Sequence, residues 1–220
     1  MIPALKILSA LLTYPTPDLA GAVPEIRDAL AGDRSLPPRR VAALHPLLAR
    51  LGRADTTEAE EDYVDLFDRS RQLSLHLFEH VHGDSRDRGQ AMVDLKTLYE
   101  SGGLFIEANE LPDYLPLFLE FLSTRPEAEA RSSLGDVAHI LKAMHRRLAG
   151  RDAAYAAVIA AILAVAGEDV PAAEIEAVED DAEALDRAWE EMPVAFGPDA
   201  APEQAGCGKV AGMLDRMRAL

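Results

Sequence analysis

The dominant pattern along the chain is a spacing of apolar residues close to the 3.6-residue period of an α-helix. Ile2, Leu5 and Leu8 show it at the amino end, where a first helix is predicted to stop before Pro15. Further helices are predicted at 19–30, 39–53, 129–148 and 153–165. Alternation typical of a β-strand is nowhere longer than a few residues. The chain is therefore predicted to be all-α, a single helical bundle.

The longest apolar pattern predicts one helix over residues 57–83. Thr57 and the acidic residues after it form a helix start, and Gly83 is predicted to end the helix. One apolar stripe contains Tyr63, Leu66, Phe67, Leu73, Leu77 and Val81, and an adjoining face contains Leu75, Phe78 and His82. So wide an apolar surface predicts a central position in the bundle.

Two helices are predicted after this stretch. Asp84 or Ser85 is expected to cap the first, which stops at 102–103, where two glycines follow each other. Asp113 is predicted to cap the second, with Pro116 in its first turn. Its buried face would consist of Leu115, Leu119 and Leu122.

Charge divides the chain into two parts. The 38 acidic and 22 basic side chains give a net charge of −16. Residues 168–191 hold eleven acidic groups and one basic group, so 11 − 1 = 10 of these net negative charges lie there. We predict a helical domain at 1–167 and an acidic, loosely attached tail at 168–220. The acidity argues against nucleic acid and an anionic membrane surface as partners, and is compatible with a basic protein or peptide.

The compartment is predicted from features that the sequence lacks. The single cysteine, Cys207, cannot form an intrachain disulfide, which fits a reducing compartment. The apolar amino end lacks the features of a secretory signal, and no apolar run has the length of a membrane span. These features predict a cytoplasmic protein without stable membrane association.

The densest polar cluster, LFEHVHGDSRDRGQAM at 77–92, offers two kinds of chemistry. One is a metal site, because two histidines at i, i+4 would share a helix face. Its members would be His76, His80, His82 and Glu79. The other is a catalytic triad of Ser85, His82 and Asp87. Residues this close in sequence rarely reach triad geometry, and no nucleophile-elbow motif is present, so catalysis is not predicted.

The same cluster has two interpretations without chemistry. In the first, Asp84, Ser85 and Asp87 cap a helix, while Arg86 and Arg88 pair with nearby acids. In the second, aromatic and aliphatic side chains beside fixed charges form a groove for an amphipathic basic helix. Composition and spacing leave both interpretations open.

Several stretches together carry a family resemblance. They are YVDLFDRSRQLSLHLFEHVHGDSRDRGQAMVDL at 63–95, ELPDYLPLFLEFLS at 110–123, Tyr14 with Pro15, and a late pattern of Trp189, Phe196 and the GCG of 206–208. They resemble the TorD/DmsD/NarJ family of molybdoenzyme assembly chaperones, in its nitrate reductase branch. The resemblance spans nearly the whole chain.

The resemblance implies an all-helical chaperone that is not an enzyme and binds no cofactor stably. Its partner would be the apo catalytic (alpha) subunit of respiratory nitrate reductase, bound through a basic N-terminal segment that is helical in the bound form. It would assist molybdenum cofactor insertion, help complete an iron–sulfur cluster and delay membrane docking. We expect a monomer. The alternatives are a sibling chaperone for dimethyl sulfoxide or trimethylamine oxide reductase, and a metal-binding enzyme built on His76, His80 and His82.

The predicted peptide site lies at the corner formed by residues 66–88 and Asp113. Apolar contacts or the groove floor would come from Leu66, Phe67, Leu73, Leu77 and Phe78. Basic groups of the client would meet Glu79, Asp84, Asp87 and Asp113. Arg86 and Arg88 would fix the corner by pairing with these acids, and His80, His82 and Tyr114 complete the predicted site. The family's polar corner matches Glu110, Pro112 and Asp113, whereas Tyr114 stands where many relatives have His.

Overall fold

The computed structural model describes residues 1–69, 71–80, 86–106, 110–168 and 170. This part of the chain forms eight α-helices: α1 (Pro3–Leu11), α2 (Pro17–Gly32), α3 (Pro38–Leu51), α4 (Thr57–Tyr63), α5 (Arg86–Ser101), α6 (Leu115–Thr124), α7 (Glu127–Arg151) and α8 (Ala153–Val165). The all-α prediction is confirmed. No helix in the described part of the chain is both long and apolar enough to cross a membrane. Most of the predicted tail, 171–220, lies outside the described residues, so its boundary stays a prediction.

Most helices begin where the local chemistry of the sequence favours a start. Proline occupies the first turn of α1, α2 and α3, where its missing N–H costs nothing. Thr16 caps α2 by accepting from Leu19 N at 3.2 Å. Asp152 caps α8 by accepting from the N–H groups of Ala154 and Tyr155, both at 2.9 Å. Such local signals explain why the helix predicted at 153–165 has the observed bounds.

The central helix of the bundle is α8. Its sequence, AAYAAVIAAILAV, is apolar on every face, and most of its residues are buried. α7, α3 and α1 pack against it, and α1 also packs on α6, where Ser9 Oγ donates to Pro116 O at 2.6 Å. A helix that is apolar all round is expected in the interior, because it has no polar face that could be exposed to water.

The prediction of one long central helix over 57–83 is wrong. α4 is short and continues as a single π-helical turn, Val64–Asp68. Two short 3₁₀ turns follow, Arg71–Leu73 and Leu77–His80, and His76 between them forms an isolated antiparallel bridge with Tyr114. Residues 81–85 lie outside the described part of the chain. The centre of the bundle is therefore α8, and this stretch forms a corner at its side.

The break in the helical pattern has a tertiary cause. Backbone bonds go to the segment before α6 instead of to the preceding turn. Leu77 N donates to Asp113 O at 3.0 Å, and Leu115 N donates to Leu75 O at 2.8 Å. A partner so distant in sequence leaves no trace in a local apolar pattern.

Asp113 is not the N-cap of α6 that the sequence predicts. Tyr114 occupies the N-cap position and makes no side-chain cap bond. The Asp113 side chain turns inward and has no exposed surface. Pro116 lies in the first turn, as predicted. The predicted buried face of this helix is also confirmed, since Leu115, Leu119 and Leu122 are fully buried.

Candidate functional site

A buried carboxylate joins the two segments that form the corner. Asp113 Oδ2 accepts from Phe78 N–H at 3.1 Å, and Asp113 Oδ1 lies 3.2 Å from His76 Nδ1. Tyr99, also buried, donates to Pro112 O at 2.9 Å and so fixes the backbone directly before Asp113. A carboxylate without exposed surface is tolerated only when it has partners of this kind. Asp113 therefore fixes the position of the backbone at 76–78.

Two histidines of this corner have pKa values shifted in opposite directions. The hydrogen bond to Asp113 raises the pKa of His76, against the opposing effects of burial and of the charge on Arg88. Burial lowers the pKa of His80, whose Nε2–H donates to a backbone carbonyl at 2.8 Å. Arg88 Nη2 lies 3.8 Å from Glu79 Oε1. The corner thus contains a histidine held towards its charged form beside one held neutral.

The His76–Asp113 pair makes part of the stability dependent on pH. Because the folded pKa of His76 is raised, its stabilising contribution is complete below the unfolded pKa, about 6.5, and is lost as the pH rises through the folded pKa. We expect the free energies of unfolding of wild type and His76→Gln to differ more at about pH 5.5 than at about pH 8.5. Urea unfolding followed by circular dichroism at both pH values measures this difference.

The comparison of wild type with His76→Gln isolates the contribution of His76 to the free energy of unfolding. His80 is present in both, so its opposite pH dependence cancels. His139→Gln, at an exposed position of α7, is the matched control for the loss of a histidine. A difference for His76→Gln that is equal at the two pH values, or larger at the higher one, would contradict the prediction.

Four rings form a line from the amino end of the chain to this corner. Tyr14 meets Tyr63 edge to face, with 5.6 Å between ring centres. The hydroxyl oxygens of Tyr63 and Tyr114 are 3.2 Å apart, and the Tyr114 ring lies 5.5 Å from that of His76. Tyr63 is buried, Tyr14 is 44% exposed, and the other two are partly exposed. We call Tyr14, Tyr63, Tyr114 and His76 the aromatic strip.

Carboxylates border the aromatic strip. The Tyr14 hydroxyl donates to Glu60 Oε2 at 3.1 Å, and this bond raises the pKa of Tyr14. Burial raises the pKa of Tyr63 and of Tyr114, and the negative charge of Asp68 adds to both shifts. Partly exposed rings in a negative potential suit a cationic partner, because both attract positive charge.

A cleft of about 370 Å³ opens beside Tyr14, along α4 and the π-helical turn. It is lined by Tyr14, Thr57, Glu60, Glu61, Val64, Asp65 and Arg69. Three of these seven side chains are carboxylates, and Arg69 is already paired with Asp65 at 2.6 Å. The cleft extends the negative surface along one side of the aromatic strip.

The apolar residues that the sequence predicts as peptide contacts lie in the core. Leu66, Phe67, Leu73, Leu77 and Phe78 are between 1% and 8% exposed. Phe67 packs between Tyr63 and Tyr155, with ring centres 5.0 Å and 5.1 Å away. In this structure they do not form an accessible groove floor, because helices cover them. Phe67 supports the aromatic strip through its contact with Tyr63.

The predicted polar residues are only partly brought together. Glu79 and Arg88 meet at the corner, His80 is partly buried, and Asp113 is fully buried. The remaining predictions fall on His82, Ser85, Asp84 and the side chains of Arg86 and Asp87, all outside what the structure describes.

The metal hypothesis loses its geometric basis. His76 and His80 do not share an α-helix, so their spacing does not place them on one face. Each ring instead hydrogen-bonds to another group, Asp113 in one case and a backbone carbonyl in the other. Among the described residues, no group of three or more His, Cys, Asp or Glu could hold a metal ion.

Tyr14, Tyr63 and Asp68 are functional candidates that the sequence analysis missed. No local pattern marks them, although three of the five tyrosines of the chain lie on the aromatic strip. Their proximity was not available, because Tyr63 and Tyr114 are 51 residues apart in sequence. The apolar period also assigns Tyr63 to a buried stripe, which gives no reason to consider it as a contact residue.

Comparisons with known proteins agree over most of the chain. The family model described as nitrate reductase delta subunit matches residues 18–161. The chain is 42% identical over 210 residues to the Escherichia coli (strain K12) nitrate reductase molybdenum cofactor assembly chaperone NarJ, covering 93% of this chain and 87% of the relative. It is 41% identical over 203 residues to the probable chaperone NarW of that strain, covering 90% and 85%. A probable NarJ of Bacillus subtilis (strain 168) is 31% identical over 160 residues, covering 71% and 84%.

Proposed function

This chain belongs to the nitrate reductase delta subunit family, and we propose that it is a system-specific chaperone for the apo catalytic (alpha) subunit of respiratory nitrate reductase. It assists insertion of the molybdenum cofactor before the enzyme docks at the membrane. It binds no cofactor stably, is not an enzyme, and acts in the cytoplasm as a monomer. The observation that carries the proposal is 42% identity, across 93% of the chain, to a protein named for this function.

The aromatic strip is the proposed surface for the client, whose basic N-terminal segment binds there as an amphipathic helix. Tyr14, Tyr114 and His76 offer partly exposed rings, and Glu60 and Asp68 make the potential negative. Basic side chains of the client can pair with the carboxylates and stack on the tyrosines. Its apolar face can cover the remaining ring surface.

Two exposed apolar residues lie between α5 and α6. Phe105 is 77% exposed and Leu111 is 47% exposed, and they lie on the two described stretches that flank 107–109. Leu111 is two residues from Asp113 and so belongs to the corner. Apolar anchors of this kind are what an amphipathic helix needs in addition to charge, since apolar contact supplies most of the affinity.

The residues predicted from the resemblance have two roles in the proposal. Buried Asp113 positions His76 through its side chain and Tyr114 through the adjoining backbone. Glu79, Asp84 and Asp87 remain predicted contacts for basic groups of the client. Arg88 holds Glu79 in place.

Removing two carboxylates beside the aromatic strip should weaken client binding. We expect Glu60→Gln combined with Asp68→Asn to raise the Kd of the client's N-terminal peptide about fivefold to tenfold at low salt, because charges at or near the surface contribute modestly and are screened. Calorimetric titration of the peptide into wild type and variant measures the change. The matched control is Glu25→Gln with Asp28→Asn, which removes the same charge from exposed positions of α2.

Other outcomes of this titration have definite meanings. Equal Kd values in the two double variants at low salt would place the client on another surface. Tighter binding of a leader peptide from dimethyl sulfoxide or trimethylamine oxide reductase would make the protein a sibling chaperone. Stoichiometric metal in the purified protein would favour the metal-binding alternative.

A further inference from the structure

The chain that leaves α8 is held by two cationic side chains. Lys142 Nζ, on α7, lies 2.7 Å from Glu168 Oε2. Arg40 Nη2, on α3, donates to Val170 O at 2.8 Å. Val170 is the last described residue, and its side chain is only 8% exposed. The first residues of the predicted tail are thus attached to the bundle between α3 and α7.

Each of these two cations has a basic neighbour on its own helix. We call Arg39, Arg40, Lys142 and Arg146 the basic face. Arg39 and Arg146 are exposed, Arg40 and Lys142 partly so. Lys142 and Arg146 are one helical turn apart and therefore lie on the same side of α7. The proximity of the two helices is reflected in His145, on α7, whose pKa is lowered by burial and by the charge of Arg40.

The start of α3 adds to the positive potential. Its first turn contains Arg39 and Arg40, no acidic residue, and no side-chain cap. Cations at the positive end of a helix dipole add to its positive potential. This end of α3 therefore attracts negative charge, and Arg40 already contacts the chain at 170.

The segment that follows residue 170 has the complementary charge. Of the eleven acidic groups at 168–191, nine follow residue 170, and Arg187 is the one basic group of that stretch. Twenty-one residues could extend across roughly 70 Å, so length does not limit contact with any part of the basic face. The aromatic strip, by contrast, is bordered by carboxylates that would repel such a segment.

We propose that the acidic stretch, residues 171–191, docks on the basic face of α3 and α7. Glu168 and Val170 begin this contact, and the carboxylates that follow continue it across Arg39 and Arg146. The contact is electrostatic, so it is weak and sensitive to salt. It keeps the tail on a surface other than the aromatic strip, which stays open to a basic client.

The single tryptophan of the chain, Trp189, lies in this stretch and reports on it without a label. The measurement is quenching of Trp189 fluorescence by acrylamide, an uncharged quencher, in the full-length protein. We expect the quenching constant to rise about twofold between low salt and about 1 M NaCl, where the Debye length is only about 3 Å. Arg39→Gln with Lys142→Gln and Arg146→Gln should give the higher value already at low salt.

Two further variants complete the test. Arg27→Gln with Arg53→Gln and Lys96→Gln removes the same charge elsewhere and should behave as wild type. Glu174→Gln with Glu176→Gln and Glu179→Gln removes the charge from the tail, leaves the bundle unaltered, and should raise the low-salt quenching constant. Low-salt quenching constants of the basic-face and tail variants equal to that of wild type would overturn the proposal.

Discussion

Replacing Asp113 by alanine is expected to lower the free energy of unfolding by about 3 kcal/mol. The carboxylate has no exposed surface and accepts from Phe78 N–H, so its removal leaves a buried donor without an acceptor. His76 loses its charged partner at the same time. Urea unfolding near pH 7, followed by circular dichroism, measures the change.

A matched variant separates the hydrogen bond from the charge. Asp113→Asn keeps an oxygen that can accept from Phe78 N–H, so its cost should be clearly smaller than that of Asp113→Ala. Asp28→Ala, at an exposed position of α2, is the control for removal of an acidic residue. An Asp113→Ala protein as stable as wild type would show that the corner does not depend on this carboxylate.

Client binding by Asp113→Asn and Asp68→Asn distinguishes a residue that positions the site from one that contacts the client. Asp113 is buried, so Asp113→Asn should weaken client binding only indirectly, through His76 and Tyr114, and together with a loss of stability. Asp68 is exposed, so Asp68→Asn should weaken binding and leave unfolding unchanged. The two effects have different causes even where the Kd values are similar.

The fold was predictable wherever its determinants are local. The bounds of α8 follow from a capping Asp152 and an uninterrupted apolar sequence, both visible within a few residues. The prediction of one helix over 57–83 was wrong because the backbone of Leu75 and Leu77 hydrogen-bonds to Asp113 and Leu115, almost forty residues away. An apolar period cannot reveal that competition.

The site was less predictable than the fold, for a related reason. An aspartate directly before a helix is most often a surface cap, so the burial of Asp113 contradicts a sound local expectation. The aromatic strip joins Tyr14, Tyr63 and Tyr114, which only the packing of α1, α4 and α6 brings together. The polar cluster at 77–92 begins at this corner, with Glu79 and His80, while the partly exposed rings lie in other segments.

A second large loss of stability is expected at the start of the central helix. Asp152 Oδ1 caps α8, and Asp152 Oδ2 accepts from Arg50 Nη1 at 2.6 Å. Arg50 also pairs with Asp62 at 3.2 Å and lies over the Tyr155 ring at 5.0 Å, so one network joins α3, α4 and α8. Asp152→Ala should cost about 3 kcal/mol, roughly 1 from the cap and the rest from the partly buried ion pair.

Asparagine at this position tests that division of the cost. Asp152→Asn retains a good cap and loses only the charge, so it should cost less than Asp152→Ala by about 1 kcal/mol. Combining Asp152→Asn with Arg50→Met in a double-mutant cycle should give a coupling energy of about 1 kcal/mol or more, because the two side chains are in direct contact. Urea unfolding of wild type, the two single variants and the double variant gives the four free energies of unfolding from which the coupling energy is calculated. Strictly additive losses would mean that Arg50 and Asp152 stabilise the bundle independently, and the network between α3 and α8 would then have no energetic role.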